Sequence, residues 1–232
     1  MSLKKVAISQ SNYIPWKGYF NSIKTVDEFV LYDDMQYTKR DWRNRNKIKT
    51  PHGLKWLSIP VEVKGKYYQK INETKISDKS WNTKHLNILK NNYAKAKCYN
   101  DVIYFIEELY CTATQNYLSE INYHFLYKIC NFLEIDTKIS FSGDYKLLKE
   151  GKTEKLVDLC LQLKAFEYYT GSAAKNYMDE SLFERENIEV FYFDYSNYPE
   201  YSQLYGKFEH QVSILDLIFN EGTDSPKYIT TV

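Results

Sequence analysis

Two hydrophobic periods interleave along this chain. Lys4–Ser9 carries Val6, Ala7 and Ile8 between polar flanks and predicts a short buried strand. Gln10–Gly18 contains Ser, Asn, Pro and Gly and reads as a loop. Tyr19–Lys24 reads as a short helix and Phe29–Tyr32 as a second strand. About thirty residues thus hold a strand–loop–helix–strand unit, the size of one parallel crossover. Asp33–Pro51 has no clear period and predicts a long structured loop. Leu54–Val63 returns to β-type residues, and Pro60 confines it to a hairpin or a sheet edge.

Helical spacing then dominates. Ser80–Lys97 places Leu86, Leu89 and Tyr93 on one face. Asp101–Leu133 carries Val102, Ile106, Leu109 and Ala113, then Ile121, Phe125, Ile129 and Phe132, the pattern of one long helix or two joined ones. Residues 80–133 therefore read as a helical insertion or cap, covering a site or forming a homodimer interface. Lys138–Phe141 is strand-like, Leu156, Leu159, Cys160 and Leu163 mark an amphipathic helix, and Ala165–Thr170 is a strand ending at Gly171-Ser172. Ser172–Glu184 reads as a helix, Ile188–Tyr192 as a strand, and Gln211–Phe219 as a buried terminal helix with Ser213 and Asp216 in capping-box positions. Strands alternating with helices predict an α/β fold: one domain over residues 1–232, with a mainly parallel open sheet covered by helices on both faces.

Composition narrows the function classes. The formal net charge of +1 argues against nucleic acid as the partner. No stretch approaches the length of a membrane span, and Cys98, Cys111, Cys130 and Cys160 lack metal-site spacing, so a cytoplasmic protein with free thiols is expected. The bias that changes the picture is in the cations. Only four Arg occur among 31 basic residues, and three of them, Arg40, Arg43 and Arg45, fall within six positions. A chain that otherwise uses Lys clusters Arg where a planar, bidentate fork is needed for phosphate or carboxylate.

Two segments therefore carry the candidate chemistry. The first is Gln10–Phe20, directly after the first strand, where open α/β sheets bind ligands. Gln10 and Asn12 are candidates to read hydroxyl or amide groups, Tyr13 and Trp16 to stack, and Gly18 and Tyr19 to shape the turn and present backbone donors. The second is Asp33–Lys47, after the second strand. Here Arg40, Arg43 and Arg45 are candidates for phosphate binding, Gln36 and Lys39 for further substrate contacts, Trp42 for stacking, and Asn44 and Asn46 for neutral hydrogen bonding. Asp33, Asp34 and His85 are the candidate general bases. Asp33-Asp34 could instead hold a divalent metal, although no metal is assigned, and the sequence leaves any cofactor open. Gly151-Lys152-Thr153 lacks the earlier glycine of a phosphate loop, since Lys146 stands there, and reads as the start of a helix with Thr153 at its cap.

Val6–Phe20, Val26–Tyr37 and Lys39–Asn46, with Trp81, His85, Tyr169–Ser172 and Ser213–Leu217, resemble the WbqC-like family over nearly the whole chain. That resemblance implies a place in bacterial surface-polysaccharide assembly, such as O-antigen or capsule. A fainter likeness to nucleotidylyltransferase-like folds aligns Trp16-Lys17-Gly18-Tyr19 with a His-x-Gly-His motif, Trp16 and Tyr19 replacing both histidines. The expected partners are a nucleotide-sugar or another phosphorylated small molecule, and an acyl or aminoacyl donor. The expected function is a transferase that adds this group to a nucleotide-linked amino sugar. A metal-dependent glycosyltransferase and a non-catalytic binding or scaffold subunit remain alternatives.

Overall fold

Strand β1 (Lys5–Ser9) alternates its side chains between two cores. Val6 and Ile8 point to one face and Ala7 to the other, and β2 (Glu28–Leu31) does the same with Val30 against Phe29 and Leu31. A strand buried on both faces is the signature of a parallel sheet covered by helices. The computed structural model describes residues 3–230 and has that architecture. Five strands pair in parallel, with β5 (Lys138–Phe141), β6 (Glu167–Gly171) and β7 (Glu189–Phe193) joining β1 and β2 in the order β5-β2-β1-β6-β7. Counted along the chain, the sheet order is 3-2-1-4-5, so the strand order reverses between β1 and β6.

The face with Ala7, Phe29 and Leu31 packs against α1 (Lys17–Lys24), α2 (Trp81–Tyr93), α3 (Tyr99–Cys111), α4 (Leu118–Phe132) and α7 (Ile214–Glu221). The other face packs against α5 (Lys152–Gln162) and the short α6 (Ser181–Glu184) through Leu156, Leu159, Cys160 and Phe183. No helix among the described residues is long and apolar enough to cross a membrane. All four cysteines are free.

Several local expectations change. The segment Asp33–Pro51 is not loop throughout, because Arg45–Thr50 forms β3, antiparallel to β4 (Gly53–Ser58). Only Ile48 marks β3 as a strand, since the remaining side chains are polar. Asp101–Leu133 takes the second of its two expected forms, two helices broken at Thr112–Tyr117, where the Leu118 amide turns to the Thr74 carbonyl (2.8 Å). Ser172–Glu184 is a 3₁₀ turn (Ser172–Asn176) followed by α6, because Asp179 accepts the Ser181 amide (3.1 Å) and starts a new helix there. Helix α5 is capped by Gly151 rather than Thr153, whose hydroxyl accepts the Asp179 amide (3.3 Å). Ser213 does cap α7, but the Asp216 carboxylate accepts the hydroxyls of Tyr93 (2.7 Å) and Tyr201 (2.8 Å) instead of closing a capping box.

Glu28 anchors the end of the sheet away from the strand carboxyl termini. Its buried carboxylate accepts from Lys4 (2.8 Å), Ser140 (2.7 Å) and Tyr145 (2.8 Å) and pairs with Lys138 (3.0 Å). Burial pushes its pKa up, but these partners outweigh burial and bring it to about 2 from 4.5. A depressed acid stabilises the fold above its unfolded pKa and loses that contribution as pH falls through the folded one. Glu28→Gln is expected to cost about 1–3 kcal/mol at neutral pH and to flatten the fall in melting temperature between pH 4.5 and about pH 2. Parallel melting curves of wild type and variant across that range would contradict this role.

Candidate functional site

The segment leaving β1 is held by side chains from elsewhere. The Tyr19 hydroxyl donates to the Gln10 carbonyl (2.9 Å). Arg43 Nη1 donates to the carbonyls of Gln10 (3.3 Å) and Ser11 (3.4 Å) and to Asn12 Oδ1 (2.5 Å). Asn46 Nδ2 donates to the carbonyls of Tyr13 (3.2 Å) and Ile14 (2.9 Å). Ile14 has φ 37°, a left-handed conformation that costs a β-branched residue about 1–3 kcal/mol. The Asn46 amide holds it there. Gly18 is required by a close approach: a Cβ at this position would stand 2.3 Å from the Trp16 indole.

The two predicted segments therefore lie side by side, as adjacent parallel strands demand, with the Tyr13 amide bonded to the Trp42 carbonyl (3.1 Å). Their side chains divide into supports and cleft walls. Asp33 is buried, its Oδ1 accepting the Ser11 amide (2.8 Å) and its Oδ2 the Ser119 hydroxyl. Burial raises its pKa against those bonds and the charge of Arg43. Tyr13 is fully buried, its hydroxyl within hydrogen-bond distance of His85 Nδ1 (2.9 Å) and Tyr110 (2.7 Å). Burial lowers the His85 pKa to about 4, keeping the ring neutral at physiological pH. Asn44 is buried and donates to the Ile59 carbonyl (2.8 Å). Gln36 donates to the Tyr67 carbonyl (2.8 Å).

The arginines do not converge. Arg43 is tied to the β1 loop, with its buried Nε free of hydrogen bonds but 3.7 Å from the Asp41 carboxylate, while Arg45 lies over the Trp56 ring (4.1 Å) and bonds the Arg40 carbonyl. Arg40 and Lys39 are exposed and line none of the recesses described below.

A recess of about 710 Å³ opens where the strand order reverses. An open α/β sheet binds ligands at this point, outside the strand carboxyl ends. Its floor is Ser9 and Gln10 at the end of β1 and Thr170 and Gly171 from β6. Tyr19 and Ser22 of α1 form one side, and Phe193 and Tyr195 close the β7 end. Gly151, Lys152 and Lys155 bring the start of α5 to the opposite wall. Arg43, Lys152 and Lys155 are the cations lining it, and no acidic side chain lines it. No lining residue comes from 80–133. A neighbouring recess shares Tyr32, Met35 and Lys155 with it and adds Asp34, which accepts from Asn72 (3.0 Å) and Ser142 (2.5 Å). Asp33 and Asp34 thus engage separate partners. Among the described residues no group of three or more His, Cys, Asp or Glu is placed to hold a metal.

A third recess, about 310 Å³, lies on the other side of the Arg43–Asn12 bond and is lined by Asn12, Pro15, Trp16, Trp42, Asn46 and Gln211. Of the residues the sequence singled out, Gln10, Tyr19 and Arg43 line the first recess, and Asn12, Trp16, Trp42 and Asn46 line the third. The sequence missed Lys152, Lys155 and Tyr195, which are far away along the chain and reach the cleft only through the sheet order.

Comparison with known proteins adds the family. The profile described as "WbqC-like protein family" matches residues 10–228. A Mycobacterium tuberculosis protein described as "Uncharacterized protein Rv1507c" is 49% identical over 227 residues, covering 98% of each chain. No solved structure matches.

Asn46→Asp places a carboxylate against the two carbonyls it now serves. It is expected to lower stability to urea by about 2–4 kcal/mol, more than Asn44→Asp, which loses one such donor. Equal stability of wild type and Asn46→Asp would show that Asn46 does not hold this loop.

Proposed function

The chain belongs to the WbqC-like protein family, and we propose that its switch-point cleft binds a phosphorylated, nucleotide-linked sugar as the substrate of a group transfer. The observation that carries this reading is the lining: Arg43, Lys152 and Lys155 with tyrosine rings and no acid, at the carboxyl ends of β1 and β6. Cations on two walls favour a diphosphate, which gains from each charge-assisted hydrogen bond. The rings of Tyr169, Tyr177 and Tyr195, which are at least partly exposed, offer flat surfaces for a base or sugar. A volume of about 710 Å³ is in the range of sites for ligands of this size.

The reaction we assign is transfer of an acyl or aminoacyl group to a sugar amine, in the surface-polysaccharide role that the family resemblance implies. The amine attacks the acyl carbonyl, the donor's leaving group departs, and the amine proton passes to a base. Of the three candidate bases, Asp34 alone lines a recess joined to the cleft. Asp33 and His85 support the loop from beneath. The separate partners of Asp33 and Asp34 lend less support to a metal-dependent glycosyltransferase.

The test is thermal shift against nucleotides, nucleotide-sugars, acyl-CoAs and phosphate. A nucleotide-sugar at a hundredfold excess over Kd is expected to stabilise by about 2.7 kcal/mol. Lys155→Ala is expected to weaken that binding by about tenfold or more, the worth of a charge-assisted hydrogen bond. A shift from no nucleotide-sugar, or one that Lys155→Ala and Lys152→Ala leave unchanged, would overturn the assignment and favour a scaffold role.

A further inference from the structure

The recess beside the Arg43–Asn12 bond differs in chemistry from the cleft. Two indoles and a proline line it, together with the carboxamides of Asn12, Asn46 and Gln211, and no charged side chain does. It shares no lining residue with the switch-point cleft. Lys47 Nζ stands 5.6 Å from the Trp42 ring but is not among the lining side chains, so a ligand seated here is not held by the cations of the cleft.

We infer that this recess binds a neutral pyranose. A sugar ring presents a face of C–H groups and an edge of hydroxyls. An indole suits the first, because it offers a large rigid apolar surface. A carboxamide suits the second, because it donates and accepts at once. The amides divide accordingly. Asn46 is engaged with the Tyr13 and Ile14 carbonyls and with the Lys47 amide (2.8 Å), so it is a fixed wall. Asn12 gives its oxygen to Arg43, and among the described residues its Nδ2 has no acceptor. The Gln211 side chain has no partner among the described residues and is exposed at the rim. Trp42 is 36% exposed although it is a large aromatic, and it lies beside Trp56 (ring centroids 5.3 Å apart). The volume of about 310 Å³ sits at the lower end of small-molecule sites, as one sugar ring requires.

A nucleobase could also stack on an indole. Its phosphates would then have to pass the partition that Arg43 makes with the carbonyls of Gln10 and Ser11 and with Asn12. An unphosphorylated sugar has no such tether. Such a sugar is neither the acyl donor nor the nucleotide-linked acceptor of the transfer proposed above, and its binding does not rest on that reaction.

The experiment is saturation-transfer NMR on the full chain with methyl glycosides of glucose, galactose and N-acetylglucosamine, and with uridine as the nucleoside control. At least one glycoside is expected to receive transfer, and Trp42→Ala and Gln211→Ala are each expected to reduce it by about fivefold or more. Melting temperatures are expected to stay near wild type, because both side chains are exposed and the bond from the Tyr13 amide goes to the Trp42 backbone. Neither variant is expected to change the thermal shift by a nucleotide-sugar, so the two sites fail separately. Transfer to no glycoside, transfer that both variants leave intact, or stronger transfer to uridine lost in Trp42→Ala would each overturn the inference.

Discussion

The segment that leaves β1 has no regular structure to satisfy its peptide groups, so their hydrogen-bond partners come from around the fold. Buried backbone polar groups that stay unpaired cost the full price of desolvation. Here Asp33 takes the Ser11 amide and the Trp42 carbonyl takes that of Tyr13. Tyr19, Arg43 and Asn46 supply donors to the carbonyls of Gln10, Ser11, Tyr13 and Ile14, and the Ile214 amide at the start of α7 donates to the Pro15 carbonyl (2.9 Å). Side chains of α4 hold these supports. Ser119 bonds Asp33, and Asn122 donates to Ser11 Oγ and to the Arg43 carbonyl, both at 2.9 Å. Helix α4 thus fixes the loop from beneath.

That constraint explains why residues that look catalytic in the sequence are also engaged in holding the loop. Asp33, His85 and Tyr13 have the chemistry of an active site, yet each is buried and engaged. The arginine bias was real, but its cause differs in part from the one expected. Arg43 has the reach to bond two carbonyls and a side-chain amide at once, and Arg45 has a flat guanidinium that stacks on Trp56. A Lys would do neither as well. Both uses need arginine without needing a ligand.

The elements were legible wherever apolar spacing was regular, as in β1, β2, α2 and α5. They were illegible where tertiary contacts replace patterning. In β3, Ile48 is the only apolar residue, and the strand exists because β4 pairs with it throughout. Adjacency of the two loops followed from two consecutive parallel strands. The opposite wall did not, because nothing near Gly151 states that β6 will pair with β1. The strand reversal brings Lys152 and Lys155 across from Arg43 and produces a charged cleft in a chain of near-zero net charge. Beyond Arg43 lies an uncharged recess, so one short loop separates two chemically different surfaces.

The central claim is that ligand enters at the reversal between β1 and β6. Hydrogen–deuterium exchange with and without a saturating nucleotide-linked sugar tests it most directly. The account predicts slower exchange in the amides of residues 10–12, 151–156 and 170–174, with the β3–β4 hairpin unchanged. Protection confined to the hairpin or to α2–α4, with those three segments unaltered, would contradict it.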